Sequence, residues 1–329
     1  MTMEGRSKTS PRRRSAGFGG TLAASMAAML LVPEAEVREP KSLRRQVLEG
    51  IPFFLLHLVP LLALLPGIEV RPIDWVVCGA LYFIRMFAVT GVYHRYFAHR
   101  SYKTSRWFQF VLAFLAQTSS QKGALWWAAH HRHHHKYSDQ PQDVHSPVQR
   151  GFFYSHVGWM FDNTDATDYA KIKDFAKYPE LVFLNKFWWI PPTLLGFGVW
   201  LALGWSGLLI GFSLSTVLLW HGTFTINSFT HIVGKRVYPT TDASKNSMFF
   251  ALITMGEGWH NNHHYYQAST RQGFHWWQID MTYYILKMLS WVGLVWDLRE
   301  PPAEVIAGTW RPSKHRDAQA LDEPVREAA

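Results

Sequence analysis

Four apolar stretches, close to residues 51–68, 73–93, 187–203 and 208–226, limit the folds open to this chain. Each approaches the ~20 residues a helix needs to cross a bilayer, where backbone polar groups must be satisfied within the segment. Turn residues separate them: Pro66, Gly67 and Pro72 between the first two, and Gly204-Trp205-Ser206-Gly207 between the last two. Away from their ends the runs carry one charged residue, Arg85. A metal transporter would be expected to line its spans with polar groups. Arg38, Lys41, Arg44 and Arg45 precede the first run, whereas the loops of the opposite side offer only Arg71. Excess positive charge stays in the cytoplasm. The expectation is an all-α integral membrane protein with four transmembrane helices. Its polar stretches, 94–186 and 227–329, should form a helical cap on the cytoplasmic side, together with both termini. The apolar run 107–117 is too short to cross and should lie in the interface.

Composition agrees. Charged residues make up 17% of the 329 positions, against about a quarter in soluble proteins. The 16 Trp, 13 Tyr and 22 Phe suit a membrane interface. Cys78 is the single cysteine, so an internal disulfide, a Cys-rich zinc site and a Cys-ligated iron–sulfur cluster are excluded. The net charge of +9 is carried largely by the N-terminus, where Arg12, Arg13 and Arg14 stand. Residues 1–50 read as a basic tail, solvated or lying on the membrane surface, rather than an exported signal. No nucleic-acid module is present. Residues 51–300 form the membrane domain and 301–329 a polar tail.

The 17 histidines gather in clusters. His94 and His99 end the second run, His131, His134 and His135 fall within 130–135, and His260, His263 and His264 follow Gly256-Glu257-Gly258-Trp259. Asn227 and His231 follow the fourth run. Positions i, i+3 and i+4 share a helix face, so each triplet should present three imidazoles to one spot. The i, i+5 pair of His94 and His99 does not stack on a regular helix, so the helix should unwind or turn there. Nine imidazoles exceed the needs of one metal ion and suit two. One Glu-x-x-His spacing, Glu257 to His260, is too few for a carboxylate-bridged centre. Zinc hydrolysis would want three ligands and an open site. His57, His221 and His275 read as packing or hydrogen-bonding residues.

The boxes His94-x4-His99, His131-x2-His134-His135 and His260-x2-His263-His264, with Asn227-Ser228-x2-His231 before the last, resemble those of the integral-membrane fatty acid desaturases. The stearoyl-CoA (delta-9) group in its bacterial form is the nearest in pattern. His94-Arg95, Gly151-Phe152-Phe153 and Ser155-His156-Val157-Gly158-Trp159 extend the likeness, which spans about residues 50–300. It implies two iron ions held by the nine named histidines, with Asn227 at the position that holds a metal-bound water. It leaves His130 and His133 outside the ligand set. It also implies dioxygen as co-substrate, a long-chain acyl-CoA or acyl-lipid, and a cis double bond as product. A membrane hydroxylase would share the same metal site. Ala129 and His130 stand where the animal enzymes have an Arg-Asp pair, which leaves the CoA carrier open. With no haem-domain signature or cysteine cluster, electrons should come from a separate ferredoxin or cytochrome b5-like protein. A bacterial inner membrane is the expected location. Asp139, Asp143, Glu257 and Asn261 are candidates to orient the imidazoles. The second span should wall the acyl tunnel, with Tyr82 either as its floor or packed against another span.

Overall fold

The computed structural model describes residues 41–162 and 166–311. The basic tail up to residue 40 and the last eighteen positions lie outside the described residues. Helix α1, Leu43–Leu58, starts eight residues before the apolar run, because its first turns are polar and well capped. Ser42 accepts a hydrogen bond from the Arg45 amide, and Arg45 pairs with Glu49 one turn on. The helix tightens to a 3-10 segment over Val59–Leu64, beginning beside Pro60, which cannot donate to the ladder. Helix α2, Pro72–Phe87, opens with proline in its first turn, and the Asp74 carboxylate accepts from the Arg71 amide at 2.8 Å.

Among the described residues, three helical runs are long and apolar enough to cross a membrane: Leu43–Leu64, Pro72–Ala98 and Ile190–His231. The third has 42 residues, about 60 Å if straight and twice the hydrocarbon thickness. It is not straight. Gly204 has φ 73° and ψ −158°, a conformation that interrupts the helix where the sequence suggests a hinge. A Cβ placed on Gly196 would lie 3.1 Å from the Phe212 ring, and these residues sit eight positions either side of Gly204. The run is therefore a hairpin of two packed helices. We number helices α3, Arg106–Gln117; α4, Ala124–Tyr137; α5, Ile190–Ser206; and α6, Ser215–Ser228. A π-helical stretch, Gly207–Leu214, leads into α6.

The cap is built from α3, α4 and short helices, among them α7, Met248–Ile253, α8, His260–Tyr265, and α9, Met281–Trp291. A two-residue antiparallel pairing joins Lys103–Thr104 to Val295–Trp296. α3 buries Leu112, Ala113 and Ala116 and exposes Trp107 and Val111, as a helix with one lipid-facing side would. Packed structure continues past residue 300: the short helix Ala303–Ile306 buries Val305 against Tyr238, Tyr265 and Phe274, and Trp310 covers them.

Candidate metal centre

The second long helix does not unwind at the first histidine pair. It widens into a π-helix over Ala88–Ala98, and the His99 amide donates to the His94 carbonyl at 3.1 Å. In a π-helix residues five apart share a face, which brings the two imidazoles to 4.7 Å between ring centroids. The i, i+5 spacing thus marks a change of helix type in the last turns before the helix stops at His99.

The two triplets divide, contrary to the expectation that each serves one spot. His94, His99, His131, His135 and His263 converge, with one nitrogen each within 4.8 Å of all the others, and His134, His231, His260 and His264 do likewise. Helix geometry gives the reason. Residues i and i+4 lie about 40° apart around the axis, whereas i+3 lies about 60° to the other side. His131 and His135 therefore face one centre while His134 turns to the other. On α8, His260 and His264 face the second centre and His263 crosses to the first. The groups adjoin, with the rings of His135 and His264 at 4.5 Å. His133 points away and bonds the Gln142 carbonyl, and His130 bonds the Trp126 carbonyl, so neither enters a group.

Within the five-membered group the inward Nε2 atoms sit at 3.0 Å for His94–His263, 3.0 Å for His99–His131, 2.9 Å for His131–His135 and 3.0 Å for His135–His263. His231 and His260 repeat the spacing at 3.0 Å. Ligands about 2.1 Å from a metal are about 3.0 Å apart at right angles and about 3.4 Å apart in a tetrahedron. The spacings match neighbouring ligands at right angles, and the five nitrogens of the first group exceed the four of a tetrahedral site. Burial pushes His99, His131, His135, His260 and His263 well below the ordinary imidazole range, so each offers a lone pair. The His264 Nε2 atom is buried without a partner, as an inward ligand atom would be before metal is added.

Carboxylates hold the outward nitrogens. His94 Nδ1 lies 2.6 Å from Glu257, His134 Nδ1 2.9 Å from Asp143, His231 Nδ1 2.8 Å from Asp139 and His264 Nδ1 2.5 Å from Asp242. Such bonds direct the second nitrogen of each ring at the centre. For His134 burial works against protonation, but the Asp143 charge and hydrogen bond outweigh it and raise its pKa. Asp242 carries no sequence signal, since it belongs to a polar loop far along the chain from any box. Asn261, a sequence candidate, touches no ring. Its side-chain oxygen accepts from the Val237 and Tyr238 amides, each at 2.7 Å, and so fixes that loop. Arg95, fully buried, bridges Glu257 and Asp280 and braces the His94 partner.

Two cavities meet at the centre. One of about 790 Å³ runs between α1, α6 and the cap, and a small one of about 40 Å³ lies beside α2. Trp127, His131, Thr223 and Asn227 line both. Asn227 thus faces the space beside His94, His131 and His260, and its carbonyl is held by the Ser155 hydroxyl. Tyr82 lines neither of these cavities. It donates to the Ile253 carbonyl, and a Cβ on Gly222 would lie 2.7 Å from its hydroxyl and 2.8 Å from Met86 Cε. Met86 lines the small cavity, with Tyr82 one turn beneath.

The sequence pattern described as fatty acid desaturase matches residues 73–292. The chain belongs to this family. The chain is 37% identical over 230 residues to the acyl-CoA C20 delta5-desaturase of Anemone leveillei, covering 68% of this chain and 73% of the relative. It is 38% identical over 229 residues to the delta-9 desaturase-like 5 protein of Arabidopsis thaliana, covering 67% and 75%. With the sn-1 stearoyl-lipid 9-desaturase of Synechocystis sp. it shares 33% over 266 residues, covering 78% and 80%. Membership supports an oxidoreductase of lipid metabolism, and the histidine groups give it residues able to hold metal.

Proposed function

We propose that this protein is an oxygen-dependent fatty acyl desaturase with two iron ions, setting a cis double bond at the delta-9 position of a long-chain acyl group. The observation that carries the reading is the junction of the two cavities at His131 and Asn227. A chain lying in the larger cavity passes against the five-nitrogen group. The cavity's volume falls within the ~300–1,000 Å³ that encloses flexible small ligands. His94, His99, His131, His135 and His263 would hold one ion, and His134, His231, His260 and His264 the other, with Asn227 carrying a water beside them.

Bound iron supplies the means of activating dioxygen. In balance, two hydrogens leave the acyl chain, two electrons and two protons come from outside, and dioxygen becomes two waters. The protein's own part is placement. Glu257, Asp139, Asp143 and Asp242 fix the tautomer of four rings, and the aromatic cavity lining keeps water from the reacting carbons. Trp127 and Thr223 at the junction set which C–C bond faces the metals. Electrons come from a ferredoxin or cytochrome b5-like donor. The hairpin at Gly204 makes four crossings of a bacterial inner membrane, with the cap in the cytoplasm. A long-chain acyl-CoA is the substrate the resemblance implies, with an acyl-lipid as the alternative.

The test is expression in a host lacking unsaturated fatty acids, with mass spectrometry of its lipids. Cis-monounsaturated chains and two iron ions per purified chain are expected. Hydroxylated chains alone would make the protein a hydroxylase, and one metal or none after iron reconstitution would remove the di-iron reading.

A further inference from the structure

Helix α9, Met281–Trp291, presents apolar side chains on two opposite faces. Thr282 and Leu286 are fully buried on one. Tyr284, Met288 and Trp291 recur at i, i+4 and i+7 on the other and are exposed, Trp291 by 74%. A helix apolar all round belongs in a core or in lipid, and at about 16 Å this one cannot cross a bilayer. Its depth is set by the second long run. The hydroxyls of Thr282 and Thr90 lie 2.7 Å apart, and a Cβ on Gly91 would lie 3.3 Å from Thr282 Cγ2. Phe83 and Ile84 of the same run are exposed, so they meet lipid about 10 Å deeper than Thr90. α9 therefore starts at the level where acyl chains give way to headgroups.

Two neighbours continue this surface. Before α9, Trp276 (81% exposed) and Trp277 stand on a loop fixed by Trp259, whose Nε1 donates to the Ile279 carbonyl at 2.8 Å. After it, exposed Trp296 pairs in register with Lys103, just ahead of α3 and its exposed Trp107. Tryptophan is enriched in the headgroup layer, where one end of the ring is apolar and the other wet. Lys287 borders the stripe and reaches Glu300 at 3.9 Å. The stripe itself carries no charge, so it offers little to a soluble redox protein steered by charge.

We propose that α9 and the Trp276–Trp277 loop form a membrane-docking surface that lies in the lipid headgroup layer and seats the cap on the bilayer. The inference rests on the membrane reading and not on the chemistry. The seat reaches the metal centre. Asp280 caps α9 by accepting the Tyr283 amide at 3.0 Å and pairs with Arg95 at 2.9 Å, and Arg95 holds Glu257, the partner of His94. A lipid surface that fixes α9 thus fixes that brace as well.

The experiment uses the full-length, iron-loaded enzyme in dioleoyl-phosphatidylcholine vesicles. In a Cys78→Ala background a nitroxide is attached at Trp276→Cys, Met288→Cys or Trp291→Cys, with Ile84→Cys as the lipid reference. Electron paramagnetic resonance compares collisions with dioxygen, which concentrates in lipid, and with a water-soluble nickel chelate. The dioxygen-to-nickel ratio is expected to exceed one at the three cap positions, as at Ile84. A ratio below one there with Ile84 above one would overturn the proposal and leave the spans standing. A ratio below one at all four would overturn the membrane reading too. Spin broadening that vanishes on dilution with unlabelled protein would put a second copy of the chain on the stripe and so overturn the proposal. Unsubstituted protein photolabelled by a diazirine phosphatidylcholine gives the reading without any mutation. Label within residues 276–291 is expected, and label confined to the three long runs and α3 would overturn the proposal.

Discussion

Four imidazoles are aimed by carboxylates, and the energetic weight of those pairs differs from that of the boxes themselves. Removing a partner frees a ring to rotate and typically costs about 10–100-fold in metal affinity. Asp242→Ala should therefore weaken metal at the four-nitrogen centre by that factor, read as loss of one of two ions per chain under chelator challenge. Retention of both ions would show that His264 is positioned by packing alone. Asn261→Ala is the contrast. It leaves two loop amides unpaired, each costing about 1–3 kcal/mol, and should lower the melting temperature while both ions stay bound. His133→Ala should be mild, since that ring bonds only the Gln142 carbonyl outside the centre, whereas His134→Ala should abolish activity. Equal damage from the two would refute the division of α4 into ligand and outward faces. The boxes were legible because histidine at helical spacing has few other uses. Asp242 was not, because a partner brought in by tertiary folding leaves no periodic trace.

Elements carried more than spacing revealed. The i, i+5 pair in α2's continuation could be read as a helix end or as a wider helix, and only backbone hydrogen bonds decide between them. The splitting of each triplet is likewise a matter of where the neighbouring helices stand, although the 100° step per residue permits it. Tyr82 shows a similar limit: the sequence leaves it as tunnel floor or packing residue, and its hydroxyl donates to the Ile253 carbonyl. Counting turns from His94 gives depth along the helix but not the length of the neighbouring side chain, and it is Met86 that lines the small cavity. This yields a prediction. Met86→Ala should open about one further helical turn, near 5.4 Å, and move the preferred acyl length up by about four carbons. Tyr82→Ala should leave the preference alone and lower stability through the lost bond to the Ile253 carbonyl. An acyl-length ladder assayed on both variants checks this, and a shift in Tyr82→Ala alone would restore Tyr82 as the floor.

At the scale of the whole molecule, the geometry ties the two distal turns together. Arg71, in the loop after the first run, donates to the Leu203 carbonyl at 2.6 Å, beside the break at Gly204. Both turns therefore lie at the same end of the bundle, while His94, His99 and His231 end their runs at the other. The four apolar runs were plain in the sequence, and so was their hinge. What was not visible is that helix continues up to the break and reverses at Gly204 alone, because apolar length is silent about how tightly a chain turns back. Positive charge is the argument for the proposed orientation: Arg44 and Arg45 flank the histidine end, whereas Arg71 at the far end is paired with Asp74. Enzyme reporters can test this. Alkaline phosphatase, active only outside the cytoplasm, should be active when inserted at Trp205 and inactive when fused after Ala329. Activity at Ala329 with silence at Trp205 would invert the protein and set its metal centre outside, away from any cytoplasmic electron donor. Silence at both would mean that the hairpin does not cross, reducing the membrane domain to the two helices before it.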